Sequence, residues 1–305
     1  MNVQSFYSPD DLTQPEPGIF IDDKIILFDS FDVSINKTNA FSLDLSKDNR
    51  SLIYAFGGLI PTNESNWDRG NFVNDFYQID VTSYPISISP VTFRGTLPSV
   101  RATLSSIFDD KGKLYIWGGK TLSATDQAMY IFDTFDATWS RTLPSYVPVQ
   151  RYFYSVTYRD GKIYYIGCTF SNNTICVDIR EILIYDTLNT NNPWTIRKAT
   201  TNGYINNRYL HSAVLASDNQ SIILYGGSLS NSSGIPSDYL ITLNLQTFEF
   251  SEFDTRNMPS TDDVSTNVYQ DKTTACANLG FELTIKVQFN MDYNFNYIQL
   301  LCSIL

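Results

Sequence analysis

The chain has 305 residues, is 43% hydrophobic and 14% aromatic, and carries a formal charge of −11 at pH 7. That length and apolar content suffice to bury a large core, in one all-β domain or two ordinary ones. The negative balance disfavours nucleic acid and anionic membrane surfaces as partners.

The opening residues lack the basic and apolar regions of a signal peptide, and no run approaches the length of a membrane span. A soluble, cytoplasmic protein is therefore expected, or an extracellular one if the N-terminus is truncated. Residues 19–28, IFIDDKIILF, read as a strand or hairpin. From residue 41 a unit of four short strands, A to D, recurs. Strand A is FSLDL (41–45), TLSSIF (103–108), YSVTY (154–158) and HSAVL (211–215). A turn signal follows each, and such dipeptides supply the positive φ of a tight hairpin. Strand B then ends on glycine: SLIYAFGG (51–58), KLYIWGG (113–119), KIYYIGC (162–168) and SIILYGG (221–227). After a polar loop come strand C, as in MYIFDT (129–134), and strand D, as in TWSRTL (138–143). The four units cover 41–93, 101–143, 151–198 and 208–253, and no helical periodicity interrupts them. Residues 264–290 contain strand-like runs without a diglycine.

Strand, Gly-Gly, loop, Tyr130-x-x-Asp133 and then Trp139, repeated at intervals of 61, 49 and 59 residues between first glycines, resembles the kelch repeat. The resemblance implies an all-β, kelch-type β-propeller built from four-stranded blades. With 19–28 and 264–290 as closing strands, residues 1–305 would form one domain of five or six blades, the terminal ones degenerate. The paired glycines are Gly57–Gly58, Gly118–Gly119 and Gly226–Gly227; the third unit reads Gly167–Cys168, and the fourth has Phe250 in the Trp place. A glycine has no Cβ, so a neighbouring backbone or aromatic ring can approach closely. Tyr130 and Trp139, and likewise Tyr185 and Trp194, are expected to fill the space between blades.

In an up-and-down blade the B–C loops and the D-to-A crossovers emerge on one face. The B–C loops are long (59–75, 120–128, 169–181 and 228–238), and long loops on a rigid scaffold carry specificity. A second register points to the same face: Arg101, Arg151 and Arg208 each precede a serine, Ser105, Ser155 and Ser212, by four residues, with Thr38 in the first unit's Arg place. In some similar kelch propellers, arginines and serines so placed bind acidic peptide segments, for which bidentate Arg–carboxylate bonds are suited. Capping of loop carbonyls is the other reading of these arginines. Trp67 and Arg69, in the longest B–C loop, are further candidates, with Trp67 either an exposed hot spot or a buried pin.

Cys168 and Cys176 flank a short polar loop and are placed either to bridge it in an oxidising compartment or to remain unrelated thiols. Galactose oxidase carries copper on a kelch propeller, but its site needs two histidines and this chain has one, His211, so neither that centre nor another His-based metal cluster is expected. No cofactor is called for, and no Gly-x-Ser-x-Gly elbow or phosphate loop appears. The reading is a non-catalytic scaffold that binds a protein or peptide, including acidic segments, through its long-loop face. A carbohydrate-binding or enzymatic propeller with carboxylates at the channel mouth is the alternative.

Overall fold

The computed structural model describes residues 18–21, 24–27, 40–43, 52–61, 70–80, 87–121, 126–143, 146, 148–167, 177–209, 211–216, 218–229, 236–252, 281–288 and 297–304. Every regular element among them is a strand, and no helix is long and apolar enough to cross a membrane.

The N-terminal segment forms a hairpin of β1 (Gly18–Ile21) and β2 (Lys24–Leu27). Blade 1 contains β3 (Ala40–Leu43), β4 (Leu52–Pro61), β5 (Gly70–Asp80) and β6 (Ser87–Pro90). Two short strands follow, β7 (Arg94–Gly95) and β8 (Arg101–Ala102). Blade 2 is built from β9 (Ser106–Phe108), β10 (Lys113–Ile116), β12 (Met129–Asp133) and β13 (Thr138–Thr142), with the short β11 (Lys120–Thr121) between its second and third strands. Blade 3 contains β14 (Ser155–Arg159), β15 (Lys162–Ile166), β16 (Glu181–Asp186) and β17 (Trp194–Lys198). The short strands β18 (Thr200–Thr201) and β19 (Arg208–Tyr209) lead into blade 4. That blade is β20 (Ser212–Leu215), β21 (Ser221–Tyr225), β23 (Leu240–Asn244) and β24 (Glu249–Glu252), again with a short strand, β22 (Ser228–Leu229), after the diglycine. A C-terminal hairpin pairs β25 (Phe281–Gln288) with β26 (Tyr297–Ile304).

Each blade is an antiparallel meander in chain order, and together the four make the propeller arrangement the repeats predict. The inner strands of successive blades lie side by side, β3 by β9, β9 by β14 and β14 by β20, while β26 lies beside β20 and β1. The terminal segments contribute two separate two-stranded sheets rather than one composite blade. Four four-stranded blades are present among the described residues, where five or six in all were expected. Two details were not foreseen. The first B–C loop is partly strand, since β4 and β5 continue past Gly58 and pair Pro61 with Gly70. Blades 2 and 4 also gain a fifth, parallel strand from the preceding crossover, β7 on β13 and β18 on β24. That strand occupies an outer edge whose backbone groups would otherwise be bare.

The seams carry the core. Between blades 1 and 2, Trp139 meets Phe76 at 5.1 Å and Phe56 at 6.1 Å, and Phe132 meets Phe76 edge-on at 4.8 Å. Between blades 2 and 3, Trp194 lies 4.8 Å from Trp117 and Tyr185 lies 6.1 Å from Tyr115. Phe250 joins an aliphatic cluster with Ile166, Ile222 and Leu243, which explains why blade 4 does without the tryptophan. Tyr130 is buried as well, but its hydroxyl donates to Asp126 within its own blade, at 3.1 Å.

The diglycines occupy equivalent places. Gly57, Gly118, Gly167 and Gly226 have φ of 70, 72, 70 and 69°. A Cβ on Gly57 would stand 2.6 Å from the Arg101 carbonyl oxygen of the next blade, and one on Gly118 would stand 2.5 Å from that of Arg151. On Gly167 it would meet the His211 ring at 2.5 Å and the Arg208 carbonyl at 3.0 Å. At the second glycine the space a Cβ would take lies within its own blade: on Gly119 it would press on Ala102 O and Leu104, and on Gly227 on Tyr209 O and His211.

Gly118→Val therefore combines a left-handed backbone with a seam that has no room. Its expected cost is at least ~2 kcal/mol in denaturant unfolding, whereas Gly203→Ala, with nothing within 4 Å of the added carbon, leaves stability unchanged.

Candidate functional site

The three register arginines enter their blades at one end of strand A, at the face from which the B–C segments rise. β8 and β19 hold two of them, each paired with the strand that follows its own diglycine: Arg101 opposite Thr121 and Arg208 opposite Leu229. Their side chains turn inward. Arg101 and Arg208 are 0% exposed and Arg151 is 3% exposed.

Each guanidinium is consumed by its own blade. Arg101 donates from Nη1 to Gly118 O (3.0 Å), from Nε to Ser99 O (3.0 Å) and from Nη2 to Ser99 Oγ (2.8 Å) and Asp126 Oδ2 (2.5 Å). Arg208 repeats the pattern: Nη1 donates to Gly226 O (3.3 Å) and Asp238 O (2.8 Å), Nε to Asn206 O (3.3 Å), and Nη2 is ion-paired with Asp238 Oδ2 at 2.5 Å. The residue two before each arginine binds the same acid, Ser99 Oγ donating to Asp126 and Asn206 Nδ2 to Asp238. Arg151 has a looser version, with Nη2 on Glu181 Oε1 (2.8 Å) and Nη1 on Glu181 O (3.2 Å). Val149 stands two before it and offers no side-chain donor. Burial pulls the pKa of Arg101 and Arg208 down, and the paired aspartate pulls each back up. Arg101 and Arg208 thus fasten the start of strand C to the diglycine end of strand B, and Arg151 holds the start of strand C alone. Of the two readings of these arginines, burial and bonding to carbonyls and acids of the same blade agree with carbonyl capping.

The serines of the register join blades. Ser105 Oγ donates to Tyr154 O (2.9 Å), and Ser155 Oγ shares a hydrogen bond with His211 Nε2 (2.9 Å). In both cases the residue four after one arginine meets the residue three after the next. Ser212 is half-buried at the same position in blade 4. Tyr154 tightens the same seam by donating to Trp117 O. Trp67, Arg69, Thr38, Cys168 and Cys176 lie outside the described residues. His211 is buried with one ring nitrogen engaged by Ser155, and no group of three His, Cys, Asp or Glu converges among the described residues.

Sequence reasoning missed Asp126, Glu181 and Asp238. The signal was present, an acid at or just ahead of the start of strand C in blades 2, 3 and 4, but loop lengths of different size hide the alignment. It also missed large exposed side chains on the crossovers: Leu143 (68% exposed), Tyr146 and Val149 between blades 2 and 3, and Tyr204 (81%) between blades 3 and 4.

Removing one partner of a buried pair strands the other. Arg101→Met is expected to cost ~3–5 kcal/mol of folding stability; Arg151→Met should cost clearly less, because Glu181 is 38% exposed and returns to water. Denaturant titration of the two variants measures the difference. A pH dependence follows from His211, whose pKa burial, with the Arg208 charge adding to it, lowers from 6.5 to about 3. Below pH 6.5 the unfolded chain binds a proton there that the folded chain refuses until about pH 3. Stability therefore falls as pH drops through that window, by up to ~1.4 kcal/mol per pH unit from this group. A His211→Gln variant should show a flatter acid limb in unfolding measured against pH.

The family model described as the KLHDC2/KLHL20/DRC7 Kelch-repeats domain matches residues 46–205, more than half of the chain and all of blades 2 and 3. With four blades and their diglycine seams in place, this chain belongs to the kelch-repeat family.

Proposed function

We propose that residues 1–305 act as one non-catalytic propeller that binds a protein segment on the face formed by the B–C segments and the D-to-A crossovers. Kelch domains generally serve as protein-interaction scaffolds, which supports the class of function. The observation that carries the choice of face is the row of large side chains on the crossovers: Leu143, Tyr146 and Val149 on one and Tyr204 on the next. Exposed tyrosines and aliphatics of this kind anchor protein partners because they bury much area at little conformational cost. The arginine clamps support the reading indirectly, by holding the roots of the B–C segments rigid so that binding does not first have to order them.

The chemistry of the partner follows from the same residues. With three arginines spent internally and a net charge of −11, an acidic segment has little to gain here and long-range repulsion to overcome. A neutral or basic segment with apolar side chains fits better. A catalytic role gains no support from His211, which is enclosed in the seam with Ser155.

Two exposed residues on the opposite turns, Phe135 and Leu188, provide a matched control. Partners captured from native extract by the wild-type chain should be lost by a Leu143→Glu/Tyr204→Glu variant and kept by a Phe135→Glu/Leu188→Glu variant. Equal capture by both, or loss only in the second, would contradict this face.

A further inference from the structure

The crossover between blades 3 and 4 is an arch tied down at both ends. On one side Thr200 and Thr201 pair with Glu249 and Phe250 in β24, and Thr200 N–H donates to Phe248 O at 3.0 Å. On the other side Asn206 is fastened to Asp238 through its backbone N–H (3.0 Å) and its Nδ2 (2.7 Å). Between the anchors run Asn202, Gly203 and Tyr204, all exposed.

Three asparagines lie within this short stretch, and the fold treats them differently. Asn206 has its amide held by Asp238. Asn207 has its side-chain oxygen held as acceptor for Ile179 N–H at 2.9 Å. Asn202 shows no side-chain hydrogen bond among the described residues, and it alone is followed by glycine. Gly203 stands in open space, with nothing within 4 Å of the position a Cβ would take. Its N–H makes a single 3.2 Å contact, to the Thr201 hydroxyl rather than to a strand partner. A free asparagine side chain beside an unhindered glycine nitrogen outside any ladder is the arrangement that permits backbone attack on the side chain.

We propose that Asn202 is a site of spontaneous deamidation. The Gly203 amide nitrogen, on losing its proton, attacks Cγ of Asn202. A new C–N bond forms, the bond from Cγ to the side-chain nitrogen breaks, and that nitrogen leaves as ammonia with the proton taken from solvent. Water then opens the resulting succinimide at either carbonyl, giving aspartate or isoaspartate, with no oxidant or cofactor needed. The glycine is what permits the approach, since any side chain there would crowd the attacking nitrogen and restrict its backbone. The product carries a new negative charge and, in the isoaspartate form, one more backbone carbon within the arch. Where the crossover is the docking face proposed above, this change falls next to Tyr204; the chemistry itself does not depend on that reading.

The test uses the intact purified chain, aged at neutral and mildly alkaline pH and then digested with trypsin. Cleavage after Lys198 and Arg208 releases residues 199–208, which contain all three asparagines. The expected result is a mass gain of about 1 Da that fragmentation assigns to Asn202, severalfold ahead of Asn206 and Asn207 and faster at the higher pH. Gly203→Ala should slow it severalfold without changing thermal unfolding. Conversion of Asn202 no faster than its two neighbours, or unchanged by Gly203→Ala, would overturn the proposal. Partner capture by aged and fresh protein is read separately, so a failure of the binding face is distinguishable from a failure of the chemistry.

Discussion

The structure depends on a missing atom. At Gly57, Gly118 and Gly167 the backbone of one blade comes so near the arginine-bearing segment of the next that a single added carbon would overlap it, with 2.5 to 3.0 Å to the arginine carbonyl. That proximity lets Gly119 N–H donate to Arg151 O across the seam at 2.8 Å, and it lets the large rings on either side close without a gap. The same arginine serves two blades: its carbonyl faces the glycine behind it, while its guanidinium folds into its own blade to hold an acid and, at Arg101 and Arg208, the glycine carbonyl as well. A residue of any other size at the first glycine would separate these two tasks.

Packing and polar contacts divide the labour in each seam. Rings such as Phe76, Trp139, Trp117 and Trp194 supply buried area, which sets the strength of the contact but leaves sliding open. The Ser105–Tyr154 and Ser155–His211 bonds fix the offset between neighbours, because each has only one place to pair. Rigidity then passes outward. Clamps at Asp126, Glu181 and Asp238 anchor the loop roots, so the crossovers that bridge them present their exposed side chains from a fixed frame. The Asn202 arch is the exception, held at its ends and free in its middle.

Much of this was legible in the sequence, for identifiable reasons. Glycine pairs, aromatic positions and turn dipeptides recur at corresponding places because each blade must satisfy the same neighbour, and so the repeat itself reports the seam. The arginine register was equally visible, but its direction was not. Sequence spacing marked Arg101, Arg151 and Arg208 as one repeating set and could not say that acids 25, 30 and 30 residues downstream would draw them inside. The separation is shorter in blade 2 than in blades 3 and 4, and the acid is Asp in two blades and Glu in the other, which blurs the pattern. Strands β7 and β18 were illegible for a different reason: two residues carry no periodicity, and their pairing is dictated by Ala137 and Phe248 carbonyls left free by positive φ at those turns.

The most direct measurement of the seam is amide hydrogen exchange at Gly119. Its N–H has no reason to be protected by its own blade's ladder, so protection reports the bond to Arg151 across the boundary. The account predicts exchange as slow as that of core-strand amides such as Ile116 and Ile166, opening only with global unfolding. Exchange at the rate of an exposed loop amide, under conditions where those core amides remain protected, would contradict it.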